Sequence, residues 1–420
     1  MRLADPILTR MNATVDSRKA DARVNLCGVR PYYVDEPEPM NLEAPPQHNL
    51  TRSESARRPL GRRVRASKRV AVLHNVDYED TSPECDPSWS ARVDVVRVAE
   101  GVVEALAGAG HDALLVPVDG DLVGLRATLA DLEPDCVFNL CESLAGDARL
   151  ESAIPMMLEL LGYCFTGSPA EVLGLALRKD RVKSCLQAAG IPTPAGRVLH
   201  AADEACDLQF PLIVKPVRED GSVGITWSSV VTDRGALERA VAGVLASFRQ
   251  PCLVEEFIDG REFNVALLGD PTPRVLPLSE IDFAGLPGGA PRIVSYDAKW
   301  KTGSVDDVGT VAVMHPPIPS PVAARIRRAA SDAFRAVGVR DYGRVDVRLS
   351  NTGVPYVLDV NPNCDLSATA GMARSAAAFG IDYGSLIKLL VRYALRRGRV
   401  GEITYRRAAR ISEGRELRPS

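Results

Sequence analysis

The amino-acid sequence predicts an α/β protein, with a parallel sheet in its N-terminal third and mixed α+β units after it. Three observations carry this expectation. From Lys68 to Ser168, apolar strand-like runs alternate with helical patterns, as in parallel sheets with crossover helices. A buried-strand run ending near a lysine, FPLIVKPV, opens onto a glycine-rich loop. The segment GRVDVRLSNTGVPYVLDVNPN, residues 343–363, reads as a β-hairpin. Its turn, Asn351-Thr352-Gly353, has residue types that tolerate tight reversals.

The elements follow in order. KRVAVLHNV is a buried-strand run, and VDVVRVAEGVVEALAGAG is a helical pattern stopped at Gly110. DALLVPVD is a strand, a short helix follows, and PDCVFNL is the next strand. AEVLGLALRKDRVKSCLQAAG is a helix ended by Gly190, with Pro192 just beyond. FPLIVKPV and GITWSSVV read as two β segments, followed by a helix from Asp233 to Ser247. The strand PCLVEEFI leads into REFNVALLG. A long loop rich in Gly and Pro, 284–310, precedes the helix PVAARIRRAASDAFRAVG, the hairpin and C-terminal helices.

Bulk properties bound the function. A chain of 420 residues can bury a large core and should divide into roughly two or three domains. The formal net charge of −3 gives no global argument for nucleic-acid binding. Nine cysteines without a Cys-x-x-Cys pair read as scattered thiols in a reducing compartment. The start, MRLADPILTRMNATVDS, lacks the apolar core of a secretory signal, and no apolar run reaches membrane-spanning length. A cytoplasmic protein with neither membrane nor nucleic-acid partner is expected. Residues 1–66, rich in Pro, Arg and acidic residues, are expected to be a poorly ordered extension.

Three motifs carry chemistry. In the hairpin, strict alternation pairs Val345 with Val360, Val347 with Leu358 and Leu349 with Tyr356 on an apolar face. On the other face Asp346 meets Asp359 and Arg344 meets Asn361. Like charges placed directly opposite repel, and a cation bound between them removes the penalty. Carboxylate and amide oxygens are hard ligands that suit Mg²⁺. A solvated polar face is the other reading of the same residues.

The second motif is LIVKPVREDGSVGI, Leu212 to Ile225. Glycines bring backbone N–H groups close to an anion, and Lys215 would add a point charge for phosphate. An ordinary glycine hairpin is the other reading. The third motif is CLVEEFIDGREFNVALLG, in which Glu255 and Glu262 bracket Phe257 and Ile258. Such a strand end can offer backbone groups to an adenine edge and a carboxylate to ribose hydroxyls, or it can be simply a charged strand end.

Taken together and in this order, the three motifs resemble the ATP-grasp superfamily, and within it the D-alanine–D-alanine ligases, over residues 68–397. The resemblance implies an ATP-grasp fold: a Rossmann-like N-terminal domain (67–170), a central subdomain with the lid (171–270) and a C-terminal subdomain with the hairpin (271–405), the last two clamping ATP. Residues 406–420 would be a tail. It implies ATP, with Mg²⁺ or alternatively Mn²⁺. By motif, Lys179 and Lys215 are similar to the lysines that hold ATP phosphates, and Ser222 to the lid serine that donates to phosphate. Glu255 and Ile258 are similar to adenine-side positions, and Glu262 to the ribose ligand. Lys299 resembles the second-loop lysine that reaches the γ-phosphate. Arg344 resembles the arginine that stabilises the reacting phosphoryl group. Asp346, Asp359 and Asn361 resemble the metal ligands, with Asp359 standing where the family more often has Glu.

The amino-acid half departs from that pattern. DYEDTSPECDPSWS stands in place of the family's first loop, and VFNLCESLAGDARLE in place of its histidine-glycine segment. Gly221 and Trp300 replace a lid serine and a second-loop tyrosine. Asn363-Cys364-Asp365-Leu366 follows the metal asparagine where the family often has Pro-Gly-Met. The implied activity is ATP-dependent joining of a carboxylate to an amine through an acyl phosphate, on small amino-acid or peptide-like substrates, with a homodimer as the family expectation. A ligase for a different amino acid or peptide, or a nucleotide-binding module without catalysis, are the alternatives.

Overall fold

The computed structural model describes residues 67–76, 89–269 and 272–412, and their side chains except at 89–94 and 399–412. The expected extension 1–66, most of the first loop (77–88) and residues 413–420 lie outside the described residues. The run KRVAVLHN forms β1 (Arg69–Asn75), flanked by β2 (Asp112–Val118) and β3 (Cys136–Asn139) in an all-parallel sheet. Crossover helices α1 (Trp89–Gly108) and α2 (Leu122–Leu132) connect these strands. Parallel strands are covered on both faces, and β1 is buried along nearly its whole length. On one face Val70, Val72 and Phe138 pack with Val102 and Leu106 of α1 and with Leu386 and Leu390 near the C-terminus. On the other, Ala71, Leu73 and Val137 pack with Leu125, Leu129 and with Ile154 and Leu158 of α3 (Ala153–Leu161).

Helices α4 (Ala170–Ala176) and α5 (Lys179–Ala188) lead into a four-stranded antiparallel sheet. Its strands are β4 (Gly196–Leu199), β5 (Leu212–Pro216), β6 (Val230–Val231) and β7 (Cys252–Glu256), in the order β4-β7-β5-β6. Helix α6 (Arg234–Phe248), capped by Asp233, covers it through Leu237, Val241 and Val244. The segment GITWSSVV is not the full strand expected. Thr226 and Ser229 cap each other's backbone N–H groups around a single 3-10 turn, Trp227–Ser229, so only Val230–Val231 remains to pair.

The remaining strands form a six-stranded sheet: β8 (Gly260–Gly269), β9 (Arg274–Val275), β10 (Ser279–Asp282), β11 (Val311–Met314), β12 (Asp341–Ser350) and β13 (Pro355–Asn361). The order is β11-β10-β8-β12-β13, with β9 beside β8. The expected loop 284–310 contains two short helices, α7 (Tyr296–Trp300) and α8 (Val305–Val308). Helix α9 (Ser320–Val337) lays Ile326, Ala330, Ala333 and Phe334 on Val265, Val345, Val347 and Val360. Helices α10 (Gly371–Ala378) and α11 (Tyr383–Ser412) close the chain.

Two expected boundaries move. Strand β8 pairs with β12 from Gly260 opposite Ser350 to Gly269 opposite Asp341, so it belongs to the third sheet rather than ending the central subdomain at 270. Val172, Val182 and Leu186 of α4 and α5 likewise join the core under α9. At the other end, α11 runs to Ser412, through the expected start of the tail at 406. Among the described residues no helix is long and apolar enough to cross a membrane.

The hairpin has the expected strands but not the expected register throughout. Arg344 faces Asn361, Val345 faces Val360 and Asp346 faces Asp359, as alternation requires. Beyond a shift between Asp346 and Val347, Val347 faces Val357 and Leu349 faces Pro355, not Leu358 and Tyr356. Leu358 is the extra residue of a β-bulge. The bulge keeps Val357 and Val360 buried while Leu358 and Asp359 are both half-exposed, and it turns Leu358 from the expected apolar face to the cleft.

Candidate active site

The period of two that buries Val345 and Val347 sends Arg344, Asp346 and Arg348 to the opposite face of β12. Across the ladder, β8 sets Asn264 against Asp346 and Glu262 against Arg348. This face is one wall of a cleft of about 520 Å³, a size typical of small-molecule sites. The opposite wall comes from β5 and the glycine-rich loop. Ten of the eleven residues singled out from the sequence line it: Lys179, Lys215, Ser222, Glu255, Ile258, Glu262, Lys299, Arg344, Asp346 and Asp359. The eleventh, Asn361, faces Arg344 in the ladder, and its Oδ1 accepts the N–H of Asn363 (2.9 Å).

The cationic and anionic groups are interlocked. Arg344 grips Asp346 with both prongs, Nε to Oδ1 at 2.7 Å and Nη2 to Oδ2 at 2.9 Å. Asn264 adds a third donor to that carboxylate at 2.8 Å. Lys179 Nζ lies 2.5 Å from Asp359 Oδ2. Burial opposes the charged form of Lys179, but the Asp359 and Asp220 carboxylates overcome it and hold the ammonium above the ordinary lysine range. Glu255 is buried between two lysines: Lys183 Nζ at 2.5 Å from Oε1, and Lys215 Nζ against Oε2. Burial alone would raise the Glu255 carboxyl; Lys215 and Lys183 outweigh it and hold the group below the ordinary glutamate value.

The glycine-rich loop is latched to the second loop. Trp300 Nε1 donates to the Gly221 carbonyl (2.8 Å), Ser222 Oγ donates to the Val294 carbonyl (3.0 Å), and the Tyr296 N–H donates to the Ile225 carbonyl (2.9 Å). Gly221 and Trp300, the two departures noted in this pair of loops, are therefore partners. Gly224 is required sterically: its φ is +77°, and a Cβ there would come within 2.7 Å of Pro216 and 2.9 Å of Phe248. Lys299 sits 5.4 Å from the Trp300 ring centroid, at cation–π distance.

The end of the cleft past the hairpin is lined by Cys364, Asp365, Ser367 and Arg374. Asp365 accepts the Ser367 N–H (2.7 Å) and hydroxyl (3.2 Å). Burial pushes the Cys364 thiol up to about 12, against the pull of Arg344, which leaves it a poor nucleophile. Asn363 ties this turn to the segment that replaces the histidine-glycine motif: its amide donates to Glu151 Oε1 (2.7 Å) and the Cys141 carbonyl (3.2 Å), and accepts from the Tyr342 hydroxyl (2.8 Å).

Sequence reasoning missed Lys183, Arg348 and the Asn363–Glu151 link. Lys183 had a readable signal, lying one helical turn after Lys179 on the same face. Arg348 had one too, because the alternation that groups Arg344 with Asp346 includes it. The third depends on which loop reaches which, and no local pattern reports that.

The donor set suits a hard divalent cation. Asp346 and Asp359 stand opposite each other in the ladder, and Asn361 adds an amide oxygen two residues along β13. Among the described residues no cluster of three or more His, Cys, Asp or Glu side chains could hold a metal, so a cation here would rest on two carboxylates and an amide.

Two antiparallel sheets that enclose a lysine-lined cleft beneath a glycine-rich lid define the ATP-grasp class. Residues 192–392 match the family model for the D-ala D-ala ligase C-terminus. The D-alanine–D-alanine ligase of Gluconobacter oxydans is 32% identical over 301 residues, covering 71% of this chain and 93% of that protein. The uncharacterized protein y4sG of Sinorhizobium fredii is 36% identical over 318 residues, covering 72% of this chain and 88% of that protein. Among solved structures, the D-alanine–D-alanine ligase of Bacillus anthracis superposes with a TM-score of 0.63 at 22% identity, covering 80% of this chain and 100% of that one; this likeness concerns the fold. The chain belongs to the D-alanine–D-alanine ligase family and is an ATP-dependent carboxylate–amine ligase.

Proposed function

We propose that the chain joins the carboxylate of one amino acid to the amine of a second in this cleft, through an acyl phosphate. The observation that carries the reading is the gathering of Lys179, Lys215, Lys299 and Arg344 with Asp346 and Asp359 on the walls of one cleft. A carboxylate and a triphosphate repel at contact distance, so their reaction needs concentrated positive charge. Phosphoryl transfer depends mainly on positioning and electrostatic stabilisation. Lys179 and Lys215 hold the phosphates, Lys299 reaches the terminal one, and Arg344 stabilises the phosphoryl group in flight. The carboxylate oxygen bonds to the γ-phosphorus as ADP leaves; the amine nitrogen then bonds to the acyl carbon as phosphate leaves and the ammonium proton passes to solvent. Asp346, Asp359 and Asn361 would hold Mg²⁺ or Mn²⁺, which supplies charge neutralisation at the phosphates. An acyl phosphate hydrolyses when wet. The latch between Gly221 and Trp300 supports a lid that shields it.

D-alanine is the first substrate to test, because the curated ligases in the family carry that name. Asp365 and Arg374 on the far wall favour a second reading, in which at least one substrate is a different amino acid. A panel of amino-acid pairs, scored by ADP release and product mass, separates the two. D-alanine alone giving ADP and the dipeptide mass supports the first; ADP release and a product mass only with another pair supports the second. ADP release with no pair at all would sink both.

A further inference from the structure

Arg348 has no part in the reaction as described, yet it is one of the most enclosed charges in the molecule, at 2% exposure. A buried guanidinium must be paired, and the carboxylate it meets is Glu262, directly across the ladder. The same Nη2 that contacts Glu262 also donates to the Arg292 carbonyl at 2.6 Å, and Nη1 donates to the Ile258 carbonyl at 3.1 Å. The guanidinium lies 5.2 Å from the Phe257 ring centroid and 5.7 Å from that of Phe283. Its Nε is buried with no hydrogen-bond partner, although Arg348 lines the cleft.

We propose that Arg348 is the positioning residue of the nucleoside subsite, fixing the Glu262 carboxylate for the ribose hydroxyls and tying that contact to the loop that carries Lys299. This rests on the reading of Glu262 as the ribose ligand. A carboxylate has about four acceptor sites, so engagement of Oε2 leaves capacity for a diol. The fork shape matters: one planar group reaches the turn after β7 at Ile258, strand β8 at Glu262 and the second loop at Arg292. A nucleoside seated against Glu262 is thereby linked through one rigid side chain to the loop whose α7 bears Lys299 and Trp300. A structural ion pair would stabilise the fold without regard to what the nucleotide carries at its 2′ position, and that difference is measurable.

The test compares dissociation constants for ATP and 2′-deoxy-ATP, by calorimetry with Mg²⁺ present, in the full chain and in Glu262→Gln, Arg348→Met and Arg348→Lys, each checked by thermal melting. Removing a hydrogen bond to a charged group should change affinity by about 10-fold or more, so the full chain should prefer ATP by that factor. Both Glu262→Gln and Arg348→Met should bring the ratio near unity, with Arg348→Lys in between. A ratio lost in Glu262→Gln but kept in Arg348→Met makes Arg348 a fold-stabilising charge and overturns the proposal. A ratio kept in Glu262→Gln refutes the ribose reading and the proposal with it. If Arg348→Met does not fold, Arg348→Lys decides by the same criterion, and an unchanged ratio there overturns the proposal.

Discussion

Replacing Arg344 by alanine is expected to lower kcat by about 10²- to 10³-fold, the range seen when a single preorganised donor to a developing charge is removed. Arg344 is held in place by its two-pronged pairing with Asp346 and does not need to be recruited. Asp346 keeps its bond from Asn264 when the guanidinium is gone, so the strand should stay folded. Arg344→Lys separates charge from shape: an ammonium preserves the charge and loses the fork, so activity should fall between wild type and alanine. Steady-state ADP release, with melting curves as the folding control, reads both variants. Wild-type turnover in Arg344→Ala would remove this residue from the reaction.

Glu255→Gln is expected to lose about 3–5 kcal/mol of stability, because removing one partner strands buried charge. Here it strands two ammonium groups, Lys183 and Lys215, around a residue that is 1% exposed. Nucleotide affinity should fall as well, since the Lys215 ammonium loses the group that aims it along the cleft wall. Denaturant titration reads the stability loss as a lower midpoint at unchanged slope. The pH dependence has a definite sign. The Glu255 carboxyl is held below its unfolded value by the lysines. Its stabilisation is therefore complete above about pH 4.5 and is lost as pH falls through the depressed folded-state value. Wild type should lose this increment on the acid side, and Glu255→Gln should lack that part of the slope. A Glu255→Gln protein as stable as wild type would mean the lysines are solvated, contrary to the geometry.

Local periodicity made much of this molecule legible. Alternation alone placed Arg344, Asp346 and Asp359 on one face and the valines on the other. It failed at Leu358, because a bulge inserts a residue without altering composition. The three-residue turn and the bulge offset each other, which is why Asp346 still meets Asp359. GITWSSVV misled for a different reason: its β-branched residues suit a strand, but the Thr226–Ser229 hydrogen bonds win locally. The boundary at 270 failed because β8 gains its partners from β12, some eighty residues later in the chain. The same non-locality hid the pairing of Glu262 with Arg348 and of Glu255 with Lys183. Each charge was visible in the sequence, but the choice of partner is made by strand order.

Isotope transfer tests the acyl-phosphate ligation most directly. The amino acid that elicits ADP release is supplied with ¹⁸O in its carboxylate, and the released phosphate is analysed by mass. Attack of that carboxylate on the γ-phosphorus leaves one labelled oxygen in every phosphate formed with product. Product formed with wholly unlabelled phosphate would contradict an acyl phosphate and, with it, the role given to this cleft.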